Sequence, residues 1–170
     1  MAKNIIIGKN SLITKQICKH LKDVIVFSAN DFNQIYFKRK IKEFKKINLI
    51  FNNFYPSKNL NTLSVNNYRK FCELSLEKIS FILESVPSFK INKIIYTSSA
   101  SVHRIPENLN TKFKDNFNRE LYSSFKLAAE KLILNYSNNR KKNHYIMRLF
   151  NTYGNSADQF SFIEKIIKLK

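Results

Sequence analysis

Short apolar runs, each followed by a stretch with helical spacing, govern what this chain can fold into. The runs are NIIIG (4–8), DVIVFS (23–28), INLIFNN (47–53), NKIIYTSS (92–99) and HYIMRLF (144–150). Between them, residues 11–21, 37–46, 64–86 and 118–137 carry apolar side chains at steps of three and four, and a last such stretch covers 158–169. Ser11 is placed to cap the first helix, and Pro87 stops the third. The strands do not alternate apolar with polar. That pattern belongs to a parallel sheet covered on both faces, because a strand with only one buried face needs polar residues at every second position. Right-handed crossovers between such strands produce a doubly wound, Rossmann-like α/β sheet, read here as one domain over 1–170.

Such a sheet binds ligands at the carboxyl ends of its strands, where the chain reverses direction. The residues in those places are Gly8 to Ile13, Ser28, Asn52 to Tyr55, Ser98 to Ser101 and Asn151 to Gly154, mostly small and polar. Tyr122 and Lys126 follow the fourth strand on one helix. A separation of four puts both on one face, so an ammonium can stand near a phenol. The spacing alone is weak, since the chain has 24 Lys and 8 Tyr, and Tyr36 with Lys40 repeats it.

The formal charge of +18 invites a nucleic-acid partner. Against that, Asn, Lys, Ile and Phe are abundant while Gly and Pro are scarce, a bias that A- and T-rich codons produce without any partner. The lysines are spread along the chain, and only 6 Arg, the residue suited to phosphate and base forks, accompany them. Cys18 and Cys72 lack metal spacing and read as small buried hydrophobes in a reducing, cytoplasmic compartment. His20, His103 and His144 lack it too, and only His103 falls near the proposed site. No run is long enough to span a membrane, and NIIIG is too short for a signal peptide.

Three segments together resemble the extended short-chain dehydrogenase/reductases, the NAD-dependent sugar-nucleotide epimerases and dehydratases. KINKIIYTSSASVHR (90–104) is similar to their fourth-strand serine loop. LYSSFKLAAEKLI (121–133) is similar to their Tyr-x-x-x-Lys helix, and MRLFNTYGN (147–155) to the strand and loop that follow. The order agrees, as does the separation of 23 residues between Ser99 and Tyr122. The resemblance implies an NAD or NADP coenzyme and a nucleotide-sugar substrate. It makes Tyr122 the proton carrier at a substrate hydroxyl. It makes Lys126 a ligand of the nicotinamide ribose that, with the nicotinamide's positive charge, lowers the phenol's pKa, and Ser99 a donor to the same substrate oxygen. It assigns Gly8, Ser11, Leu12, Ile13 and Ser28 to the coenzyme and Asn151 to the substrate nucleotide.

Departures from the family pattern qualify these expectations. The glycine loop after the first strand keeps Gly8, but Ser11 and Thr14 stand at the second and third glycine positions, which should weaken dinucleotide binding. The second strand ends in Ser28 in place of the usual acid, with Asp31 three residues on. The family's active-site Asn falls on Ser75, and its Tyr-Gly on His103-Arg104. The C-terminal substrate domain is expected to be absent, so a homodimer through the long helices or a partner chain that supplies the missing part is implied. The alternative is a truncated, inactive binding module of the same fold.

Overall fold

The computed structural model describes residues 2–29, 32–52, 65–104 and 117–150, without the side chains of 65–68, 104 and 117–121. Asp31, Asn151 and the helix expected over 158–169 lie outside these residues. The elements run β1 (Lys3–Ile7), α1 (Leu12–His20), β2 (Val24–Phe27), α2 (Gln34–Lys42), β3 (Ile47–Phe51), α3 (Val65–Cys72), α4 (Lys78–Ser85), β4 (Ile91–Ser99), α5 (Phe117–Asn139) and β5 (Asn143–Leu149). Short 3-10 turns at Ser88–Lys90 and Ala100–Arg104 flank β4.

All five strands are parallel, in the order β2-β1-β3-β4-β5. From β1 the chain moves outward to β2, then returns across β1 to β3. The carboxyl ends of β1 and β3 therefore part around a crevice, the ligand position of doubly wound sheets. The sheet expected from the apolar runs is thus present. Ile5, Ile6 and Ile7 are all fully buried, which accounts for the missing alternation.

The core sits between the sheet and the helices α2, α4 and α5. Ile5, Ile7, Leu49, Phe51, Ile94 and Tyr96 face Phe37 and Ile41 of α2, Ile79, Ile82 and Leu83 of α4, and Ala129 and Ile133 of α5. Each large apolar side chain buried there contributes about 1.5–3 kcal/mol relative to exposure. Cys18 departs from expectation. It is exposed near the end of α1, one turn beyond the buried Thr14, and Cys72 is only partly buried.

The helix expected over 64–86 is interrupted. Glu73–Glu77 form a π turn between α3 and α4. Leu74 and Ser75 within this turn are both buried. Among the described residues, no helix is long and apolar enough to cross a membrane.

Candidate functional site

The site is built where β4 ends, and α5 lies along it. Three consecutive β4 residues each hold one turn of α5. The Lys126 ammonium donates to the Thr97 carbonyl at 2.7 Å. The Ser98 hydroxyl donates to Oε1 of Glu130. The Ser99 hydroxyl is bonded to the Tyr122 phenol. Tyr122, Lys126 and Glu130 follow one another at steps of four, so one helix face meets one strand end. Ser99 is itself oriented by Ser101, whose amide and hydroxyl donate to Ser99 Oγ at 3.2 Å and 3.0 Å. With those lone pairs used, its own proton is left for the phenol. The proposed Ser99, Tyr122 and Lys126 are therefore brought together.

Burial sets the protonation of this group. Lys126 is 4 % exposed, and its pKa falls from 10.5 to about 7, chiefly through desolvation, with Glu130 opposing the fall. The ammonium lies 5.0 Å from the Tyr96 ring centre and 5.9 Å from that of Tyr122. Tyr122 differs from expectation: in the chain alone its pKa is raised, because burial outweighs the Ser99 hydrogen bond, which acts in the other direction. The ammonium is aimed at a backbone carbonyl, and its charge is partly lost at neutral pH. The lowering expected of Lys126 is therefore not what dominates at the phenol. Phe71 and Leu74, with Ala29, Tyr122 and Phe125, pack as a separate apolar cluster beside the phenol.

The loop after β1 tests the fit of a dinucleotide. Gly8 has φ 117°, a conformation that favours glycine, and its amide donates to the Phe27 carbonyl. The turn assigned to the first glycine is therefore made. Ser11 is the N-cap of α1, yet its side chain makes no capping bond, so Leu12 and Ile13 begin the helix with its dipole directed at the crevice. Thr14 is 2 % exposed. Its hydroxyl accepts from Asn52 Nδ2 at 3.0 Å, and Asn52 Oδ1 accepts from the Thr97 hydroxyl. The branched side chain at the third glycine position is thus buried and hydrogen-bonded. A glycine turn and a helix N-terminus, which could hold a pyrophosphate, thus follow β1, with the Ser11 Cβ as the added bulk. Ser28 follows β2, half-buried, on the neighbouring strand.

Ser75, at the position of the family's active-site Asn, lies within the π turn, fully buried, with a hydroxyl that has no hydrogen-bond partner among the described residues. Glu130 and Arg148 join the site without having been expected there. Glu130 is 1 % exposed. Its Oε1 accepts from Arg148 Nε at 3.1 Å and its Oε2 from Nη2 at 2.7 Å. Arg148 Nη1 also lies 3.3 Å from Nε2 of His103. The signal was available: Glu130 continues the Tyr122, Lys126 series by one more turn. No group of His, Cys, Asp and Glu able to hold a metal occurs among the described residues.

Comparisons with known proteins agree with this fold. MoeE5 in complex with UDP-glucose and NAD superposes with a TM-score of 0.71 at 15% identity, covering 98% of this chain and 60% of that one. UDP-glucose 4-epimerase of Thermus thermophilus, in complex with NAD, gives 0.68 at 15% identity over 98% and 60%. The dTDP-4-dehydrorhamnose reductase of Bacillus anthracis str. Ames, in complex with NADP, gives 0.69 at 16% identity over 99% and 60%. The chain thus spans less than two-thirds of the length of these structures, and at such identities the likeness concerns the fold. No curated protein matches the sequence. The model of the family described as NAD dependent epimerase/dehydratase matches residues 59–169. Matched over more than half of its length, this chain belongs to the NAD dependent epimerase/dehydratase family.

Proposed function

We propose that the chain is an NAD(P)-dependent oxidoreductase of the epimerase/dehydratase type acting on a nucleotide sugar. The observation that carries this reading is the hydrogen bond between Ser99 and Tyr122, with Lys126 one turn further on, at the same carboxyl end of the sheet that carries the Gly8 turn. A bound nicotinamide supplies the acceptor or donor of a hydride. Tyr122 takes or returns the proton of the substrate hydroxyl. Ser99 exchanges its bond to the phenol for one to the same substrate oxygen. Lys126, held by the Thr97 carbonyl, keeps a positive charge within reach of the phenol whenever it is protonated. Gly8, Ser11, Leu12, Ile13 and Ser28 line the dinucleotide's path, and Asn151 is assigned to the substrate nucleotide.

A non-catalytic binding module is the second reading. The raised pKa of Tyr122 favours it, since a phenol that holds its proton is a poor base at neutral pH. Titration with NADH and NADPH, followed by nicotinamide fluorescence, separates the two. Binding in the micromolar to millimolar range, with Tyr122→Phe leaving that affinity unchanged and lowering turnover by about 10²–10⁴-fold, supports the enzyme. Absence of binding at millimolar coenzyme removes the enzyme reading for this chain.

A further inference from the structure

Glu130 is a carboxylate set almost wholly inside the protein, while its counterion is not. Side-chain exposure is 2% for Glu130 and 36% for Arg148 across the 2.7 Å ion pair. The positive member of the pair thus faces water, which screens it, and the negative member faces the interior. One turn away on the same face is Lys126, an ammonium whose hydrogen bond runs to the Thr97 carbonyl. Groups that face Lys126 are Tyr96 from β4 and Tyr122 and Glu130 from its own helix, with Arg148 and His103 behind Glu130. On the π turn, Glu73 is half-exposed and paired with Lys78 at 3.6 Å.

We propose that Glu130, forked by Arg148 and bonded to Ser98, is a positioning residue for Lys126, fixing the register of α5 on β4 and supplying the field that keeps the ammonium charged. The proposal rests on the assignment of Tyr122 and Lys126 as the reacting pair. The geometry gives it two arms. Mechanically, Thr97, Ser98 and Ser99 grip Lys126, Glu130 and Tyr122 respectively, so a slip of one residue at Glu130 separates the phenol from Ser99. Electrostatically, burial drives Lys126 toward the neutral amine, and Glu130 is the charge that works against it.

The test follows the Lys126 side-chain resonance by NMR as pH is varied, in the full chain without coenzyme. Glu130→Gln keeps the shape and removes the charge, and Arg148→Gln removes the counterion. The expected result is a fall in the Lys126 midpoint of about one unit or more in Glu130→Gln and a rise in Arg148→Gln. Mere loosening of the helix hydrates the amine and moves both variants upward. A rise or no change in Glu130→Gln therefore overturns the proposal. If Glu130→Gln does not fold, the double variant Glu130→Gln/Arg148→Gln leaves no lone buried charge. It must still titrate below the parent chain, and a midpoint at or above the parent's overturns the proposal equally. The readout needs no turnover, so it stands apart from failure of the enzymatic reading, which coenzyme titration detects.

Discussion

The two ends of the sheet use the same residue type in opposite ways. At the amino end, every strand is entered through lysine: Lys3, Lys22, Lys45 and Lys46, Lys90, and Lys141 and Lys142. Lys22, Lys45, Lys46 and Lys141 are exposed. Lys3 pairs with Asp23 at 3.2 Å, but Asp23 is 84% exposed, so this surface pair contributes little. At the carboxyl end, Lys126 is buried, and the nearby Glu130 is held by three donors. A solvated charge barely affects stability or chemistry. A desolvated one has to be compensated, and it reports on its neighbours through its pKa. Much of the net charge of +18 is therefore thermodynamically quiet, while a buried lysine carries chemical weight.

The largest effect that separates the two ends is a pH dependence of stability. Lys126 has a folded pKa of about 7 against 10.5, so between these values the unfolded chain binds more protons and stability rises with pH. The penalty for burying the ammonium is complete below about pH 7 and gone above 10.5, and it amounts to several kcal/mol. Tyr96 and Tyr122 act oppositely: their raised pKa values stabilise the fold below pH 10, and that contribution is lost as pH climbs further. Urea unfolding from pH 6 to 10 should show the rise, and Lys126→Met should flatten it. An equal slope in the variant would place its origin among the exposed lysines.

A smaller effect comes from an amino-end lysine that is tied to two carbonyls. Lys90 Nζ donates to Ile41 O at 3.2 Å and Lys42 O at 3.1 Å, satisfying the end of α2. Lys90→Met should cost about 1 kcal/mol in urea denaturation. A loss under a few tenths would put Lys90 among the quiet charges. The smallest effect is expected for Lys22→Gln, Lys45→Gln and Lys141→Gln, each within about 0.5 kcal/mol of the parent. A loss above about 1 kcal/mol for any of them would break the contrast between the ends.

Some of the site was legible early. Ser99, Tyr122 and Lys126 could be placed because three segments in order resemble one family's serine loop, Tyr-x-x-x-Lys helix and following strand, where the step of four alone was too common to decide. The π turn was not legible, since Phe71, Leu74 and Ser75 fit a helical period well enough to hide one extra residue in the turn. Thr14 read as a defect in the glycine loop. Its hydroxyl finds Asn52, 38 residues away, and the pair makes it a fitted side chain. The direction of the Tyr122 shift also escaped, because it follows from how deeply Phe71, Leu74 and Phe125 enclose the ring.

From the amino-acid order alone came the parallel sheet and its helices, because hydrophobic period acts within a few residues of chain, while the resemblance of three segments to one family singled out the residues that converge at the end of β4. Tertiary structure decided which charges lost their water. Ser98 and Glu130 are 32 positions apart, and Lys126 and Thr97 are 29. Desolvation belongs to the packed assembly of strand and helix, and no short stretch of chain contains it.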